Sequence, residues 1–181
     1  IYAYTGMRIY GTNNARVDSN TILLVDQGSQ GLNNDNSHYS SYSNNLIMPQ
    51  DEFGWYNTGM YLNNNSYTTI HSNEIRNCKD EAFYIRYAKN DTVTQNIVTR
   101  DWSCDNDDSH CAFHFTESSW NNYFSGNVIN INNGPQGASN DGHGYRRTHD
   151  FYGFHGGGSN HDNKFMNNSV TIGTTYDDNE S

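Results

Sequence analysis

The side chains of this chain best suited to moving protons fall in clusters. Asp80-Glu81 precedes Phe83, Asp105-Asn106-Asp107-Asp108 precedes Phe113, and Glu117 follows Phe115. Hydrolysis of a glycosidic bond needs two carboxyl groups flanking it, about 5 to 5.5 Å apart for retention or about 6.5 to 9.5 Å for inversion. Asp80 and Asp107 would meet such a spacing if they occupied equivalent points of neighbouring structural repeats. The competing role for these residues is turn formation, in which Asp and Asn side chains bond their own backbone. With His114 and His143 added, the catalytic candidates are Asp80, Glu81, Asp107, Asp108, His114 and His143. Asp105, Asp107 and Asp108 also carry enough oxygen atoms to hold calcium, although the Gly and downstream Glu of an EF-hand loop are missing and a polar turn is the alternative. His143, His149, His155 and His161 recur every six residues. They read either as metal chelators or as a His-rich loop.

What must position these groups is a repeated phrase: an apolar residue, two spacers, Asn, one spacer, then Ile or Val. It occurs at 17–22, 70–75, 93–98, 124–129 and 165–170, with a looser copy over 42–47. The Asn positions 20, 45, 73, 96, 127 and 168 are separated by 25, 28, 23, 31 and 41 residues. Repetition on this scale means stacked supersecondary units, and the uneven spacing fits a solenoid with loops of variable length. Each copy alternates apolar with polar residues and is rich in β-branched and aromatic types, so the local period is two, which is that of a strand. Asn would recur because its amide gives and accepts hydrogen bonds along a column and because it tolerates left-handed turns.

A second alternating run lies upstream of several phrases: Gly6–Tyr10, Gly59–Leu62, Ala82–Arg86 and Ala112–Phe115. Alternation sends Met7, Ile9, Met60, Leu62, Phe83, Ile85, Phe113 and Phe115 inward and Arg8, Tyr61, Tyr84 and His114 outward. With Tyr10, Arg86 and His155, these would line one outer face. Tyr rings suit sugar stacking and Arg forks pair with carboxylates. Singly these read as ordinary solvated strand residues; as a set Arg8, Tyr61, Tyr84, Arg86 and His114 are the substrate-binding candidates, and the expected partner is an extended polysaccharide.

These repeats resemble the right-handed parallel β-helix proteins of the pectin-lyase-like superfamily, over roughly residues 6–172. The resemblance implies an all-β, right-handed parallel β-helix of about six to seven coils and a carbohydrate-active module that binds, and in its enzymatic members depolymerises, an extended polysaccharide as a polysaccharide lyase or glycoside hydrolase. Asp107-Asp108-Ser109-His110-Cys111 with Gly142-His143-Gly144 is similar to the paired-Asp and Gly-His-Gly elements of polygalacturonases, although no Arg-x-Lys follows His143. Asn77-Cys78-Lys79-Asp80-Glu81-Ala82-Phe83 is similar to the Asn-x-x-x-Glu-Ala stretch of alginate and chondroitin lyases. In those enzymes a Lys or Arg base removes a proton beside a uronate carboxylate, often with calcium. Here Phe83 takes the place of a second acidic ligand, and Lys89 falls near the position of the base.

The chain has 181 residues, of which 33% are hydrophobic and 14% aromatic, with a mean hydropathy of −0.94. Low hydrophobicity would read as disorder were the aromatic content not so high; a thin column with a narrow core accommodates both. One domain is expected over 1–181, with loops or irregular coil at 27–45 and 134–158. A start at Ile1 without Met points to a processed product or a piece of a longer chain. A formal charge of −10 opposes nucleic acid and anionic membranes. No apolar stretch reaches bilayer length. An extracellular, cell-surface or virion location follows from the resemblance and from the Asn/Ser/Tyr-rich surface. Cys104 and Cys111 could close a disulfide, leaving Cys78 unpaired, or all three could be free thiols; no zinc site is spaced. The competing function is a structural or adhesive module, a trimer or head-to-tail fibre joined through unpaired strand edges at the ends of the column.

Overall fold

The computed structural model describes residues 5–25, 29–50, 57–78, 80–100, 110–131 and 151–172. These residues wind into six coils of three strands each. Coil 1 comprises β1 (Thr5–Tyr10), β2 (Arg16–Asp18) and β3 (Thr21–Leu24), and coil 2 comprises β4 (Gln30–Asp35), β5 (Ser41–Ser43) and β6 (Leu46–Pro49). Coil 3 comprises β7 (Thr58–Asn63), β8 (Thr69–His71) and β9 (Glu74–Arg76), and coil 4 comprises β10 (Phe83–Arg86), β11 (Thr92–Thr94) and β12 (Ile97–Arg100). Coil 5 comprises β13 (His110–Thr116), β14 (Tyr123–Ser125) and β15 (Val128–Ile131), and coil 6 comprises β16 (Phe151–Gly156), β17 (Lys164–Met166) and β18 (Ser169–Ile172). The first strands of all coils form parallel sheet A, the second strands sheet B and the third strands sheet C. The protein is a parallel β-solenoid.

Two stretches differ from the sequence expectation. The supposed loop at 27–45 contains β4 and β5, the ordinary first and second strands of coil 2. It reads as loop because the inward column Ile9, Asn34, Leu62, Ile85, Phe115 is interrupted by a polar residue at Asn34. The supposed loop at 134–158 contains β16, which carries His155 in regular pairing beside His114; residues 134–150 lie outside those described.

The core is a set of single-file columns. Sheet A contributes Met7, Leu32, Met60, Phe83, Phe113 and Phe154. Sheet B contributes Val17, Tyr42, Ile70, Val93, Phe124 and Phe165, and sheet C contributes Ile22, Ile47, Ile75, Val98, Ile129 and Val170. Phe113 stacks on Phe83 at 4.4 Å and on Phe154 at 5.0 Å between ring centroids. Each fully buried side chain of this size stabilises by about 1.5–3 kcal/mol. Where sheet A meets sheet C the chain must be bare: a Cβ on Gly59 would lie 2.5 Å from the Ala82 carbonyl oxygen and 2.6 Å from Ile75 Cγ2. The ends of the column differ. Val17, Ile22 and Leu24 of coil 1 are buried, whereas Phe165, Met166, Val170 and Ile172 of coil 6 are exposed.

The turn from sheet B to sheet C holds the repeated Asn. In each coil the preceding residue is left-handed, namely Ser19, Asn44, Ser72, Gln95, Gly126 and Asn167. That turn aims the Asn side chain inward. Asn20 Nδ2 donates to Asn45 Oδ1, Asn45 to Asn73, Asn73 to Asn96, Asn96 to Asn127 and Asn127 to Asn168, all at 2.9–3.0 Å. Each acceptor oxygen also takes the backbone N–H of the coil before it, at 3.0–3.1 Å. A buried amide is tolerable only when paired, and here the amides of neighbouring coils pair with one another.

Candidate functional site

Regular pairing in sheet A turns one column of side chains outward: Arg8, Asn33, Tyr61, Tyr84, His114 and His155. Tyr61, Tyr84 and His114 each follow a small residue and an inward Met or Phe, Gly59-Met60, Ala82-Phe83 and Ala112-Phe113, so they face out. The rings follow one another at coil spacing, Tyr61 to Tyr84 at 5.4 Å, Tyr84 to His114 at 4.9 Å and His114 to His155 at 4.9 Å. Asn33, whose amide donates to Gln30 Oε1, separates Arg8 from this run. Arg8 lies over Tyr10 at 5.7 Å instead.

Glu81 enters this column from the strand start of coil 4. Its Oε1 lies 3.0 Å from His114 Nδ1, and both side chains are largely covered. Burial alone would raise the Glu81 carboxyl, but hydrogen bonding with His114 and Asp80 outweighs it and holds the group below its ordinary value. An ionised carboxylate only accepts, so His114 Nδ1 carries the proton of this bond, and in the neutral ring the lone pair then lies on Nε2. An imidazole oriented in this way by a carboxylate is the arrangement of a general base.

Beside the ring column, Arg86 NH1 donates to the Tyr61 hydroxyl oxygen at 3.2 Å, and Arg86 NH2 stands 3.6 Å from Glu117 Oε1. Tyr87 completes the group, its hydroxyl donating to Glu117 Oε2 at 3.3 Å. The Arg86 cation is thus held over the face by two neighbouring coils.

The solenoid brings together Tyr61, Tyr84, Arg86, Glu81 and His114, and leaves Arg8 at the far end of the same column. Asp80 hydrogen-bonds the Glu81 carboxyl and also borders a small void with Cys78 and Arg100 at the corner between sheets C and A. Phe83 lies in the core against Phe113, so that position offers no oxygen ligand. Lys89 sits in the turn between sheets A and B with its Nζ 4.4 Å from the Trp120 ring centroid, which removes it from the His114 face. Cys78 is free and buried, and burial pushes its thiol up to about 12, so it is not a nucleophile. Asp107, Asp108 and His143, the calcium candidate at Asp105 and the Cys104–Cys111 closure lie outside the described residues. Among the described residues no group of three or more His, Cys, Asp or Glu is placed to hold a metal ion.

The sequence reading named Glu81 and His114 separately but missed that they touch. They are 33 residues apart, and only the 30-residue offset between coils 4 and 5, visible in the register Phe83 to Phe113, brings them within reach. No family model matches the chain, nor does any curated protein or any solved structure.

Proposed function

We propose that the outward face of sheet A binds an extended, uronate-containing polysaccharide and cleaves it by proton abstraction and elimination. The observation that carries this reading is the Glu81–His114 hydrogen bond, set inside a run of neighbouring rings, of which Tyr84 is tilted on His114 and His155 is stacked on it. His114 Nε2 takes the proton from the sugar carbon beside the carboxylate, and the electron pair of that bond becomes a new carbon–carbon double bond. The bond to the glycosidic oxygen then breaks, and the oxygen leaves with a proton returned by His114 or by water. Tyr61 and Tyr84 offer flat apolar bodies with polar tips to the sugar rings, and Arg86 offers a cation to the uronate carboxylate. This is the pectin-lyase-like reading of the fold, and with it goes an extracellular, cell-surface or virion-borne location.

Incubation with a panel of uronate polysaccharides should produce the ultraviolet absorbance of an unsaturated product, and His114→Ala should lower the rate by about a hundredfold or more. Tyr84→Ala should weaken retention on a column of the same polymer. A panel that yields no unsaturated product, with retention unchanged by Tyr84→Ala, removes the reading. The second reading is a non-catalytic adhesive or fibre module, favoured by the exposed apolar end formed by Phe165, Met166, Val170 and Ile172. Filaments that grow with protein concentration, together with a silent panel, would select it.

A further inference from the structure

The turn between sheets A and B holds more than one residue per coil in the left-handed region, and the second bend of that turn is made in successive coils by Asn14, Tyr39, Tyr67, Asn90, Asn121 and Asp162, with φ of 54–59°. Asn and Asp take that conformation readily because their short side chains bond locally, whereas for a bulky side chain it is an outlier. Coils 2 and 3 nonetheless carry Tyr there. Burial does not account for the choice, since Tyr39 is 59% and Tyr67 54% exposed. Their rings lie parallel within 4° at 5.1 Å, a flat aromatic pair standing on the corner of the solenoid. Beyond them the column continues as amides, with Asn121 Nδ2 donating to Asn90 Oδ1.

The neighbouring residue of the same turn makes a second column. His38 Nδ1 meets Ser66 Oγ at 2.8 Å, Lys89 lies over the Trp120 ring, and Trp120 stacks on His161 at 5.6 Å and 8°. Aromatic rings thus stand at coils 2, 3, 5 and 6 of one corner, with amides and an ammonium group between them. From coil 2 to coil 6 the strip runs about 20 Å at ordinary strand spacing.

Strained residues kept where smaller ones serve in the other coils indicate a use for the side chain. We propose that this corner is a glycan-binding surface, separate from the sheet A face, that takes a pyranose oligosaccharide lengthwise along the solenoid. The exposed ring edges of Tyr39, Tyr67 and Trp120 meet the apolar C–H faces of the sugars, and the amides of Asn90 and Asn121 meet the hydroxyl rim. A protein partner would also use exposed Tyr and Trp. The alternation of rings with amides at coil spacing instead suits a ligand that is itself a linear repeat.

The test is made in a Tyr84→Ala, Arg86→Ala, His114→Ala background, so that neither cleavage nor binding at the sheet A face masks the corner. The probes are hexasaccharides of β-1,4-glucose, β-1,4-mannose, β-1,4-xylose and α-1,4-galacturonate, titrated by calorimetry. At least one should bind, and adding Tyr39→Asn and Tyr67→Asn should weaken it about tenfold or more. These substitutions install the residue that coils 1, 4 and 5 already use, and an unchanged or higher melting temperature certifies the fold. If no probe binds in that background, or if the added substitutions leave affinity unchanged, the corner is not a glycan site. Failure of the sheet A reading shows separately, as wild-type activity and retention that His114→Ala and Tyr84→Ala do not alter.

Discussion

The two corners at either end of sheet B are built by the same kind of turn and filled on different terms. At the B–C corner every coil supplies Asn, and the column from Asn20 to Asn168 repeats one hydrogen-bond scheme without exception. At the corresponding inward position of the A–B corner the coils supply Ala15, Ser40, Thr68, Asp91, Asn122 and Asn163. Ala15 N–H donates to Ser40 Oγ, Thr68 N–H to Asp91 Oδ1, Asp91 N–H to Asn122 Oδ1 and Asn122 N–H to Asn163 Oδ1. The bonding direction is conserved through a series of unlike side chains. A position that needs only to hold coils together settles on the one residue that does so best. The A–B corner departs from that residue in coils 1 to 4, and alongside it carry the left-handed Tyr39, Tyr67 and Tyr87. Its composition therefore answers to more than stacking.

The uniform corner should be the more costly to break. The Asn96 side chain accepts from Asn73 N–H and Asn73 Nδ2 and donates to the Ile70 carbonyl and to Asn127 Oδ1, all at 3.0 Å. Asn96→Ala strands buried groups on both neighbouring coils, with an expected loss of about 3–5 kcal/mol. Asn163→Ala at the other corner lies in the last coil and only partly buried, and should lose about 1 kcal/mol. Denaturant midpoints of the two variants measure the difference. Equal losses would mean that the corners bear the stack alike.

Asp91 is the sharpest exception within the mixed corner. It is buried and accepts from Asn65 Nδ2 and the Thr68 N–H, while among the described residues Asn65 Oδ1 and both polar atoms of Asn34 have no hydrogen-bond partner. Burial pushes the carboxyl from 3.8 up to about 7, the Thr68 N–H working against the rise. The folded value lies above the unfolded one, so the contribution to stability is fully present below about pH 4 and is lost as pH rises through about 7. Tyr42, itself raised to about 12 by burial, is the titratable group coupled to it and stays neutral throughout that range. Asp91→Asn puts at this position the residue of coils 5 and 6, and a flip of the Asn65 amide would turn its unpaired oxygen toward the new donor. At pH 8 the variant should gain on the order of 2–4 kcal/mol over wild type, and the gain should vanish by about pH 4. Melting curves across that interval test the sign; a variant less stable at pH 8 overturns it.

Much of this was legible because the solenoid writes its geometry into phase. Asn in fixed register with Ile or Val announced the B–C corner, and the alternation in sheet A announced the outward column of Arg8, Tyr61, Tyr84 and His114. The first strand of coil 2 was lost where Asn34 sits in a column of aliphatic and aromatic residues. The small-then-apolar pair Gly31-Leu32 recovers it once set beside Gly59-Met60 and Ala82-Phe83. The Glu81–His114 contact was not legible, because loop length hides which residues of successive coils become neighbours. Tyr39 and Tyr67 were available as a repeat, Tyr-Ser-Ser-Tyr in coil 2 and Tyr-Thr-Thr-Ile in coil 3. Nothing in a Tyr codon announces a positive φ, however, and that conformation is what sets these residues apart.

The smallest expected effect bears on those two tyrosines and decides how the comparison is read. Holding a bulky residue in the left-handed region costs about 1–2 kcal/mol, so the double substitution Tyr39→Asn and Tyr67→Asn relieves two such costs. It forfeits one exposed ring stack, a contact worth about 0.5–1.5 kcal/mol. The balance favours the variant by about 1–2 kcal/mol, and the single substitution Tyr67→Asn should be close to neutral because it relieves one cost while losing the whole stack. Thermal unfolding of both variants against wild type reads the balance directly. A double variant that melts lower would show the ring pair to be a brace of coils 2 and 3, and the A–B corner would then differ from the B–C corner in composition alone.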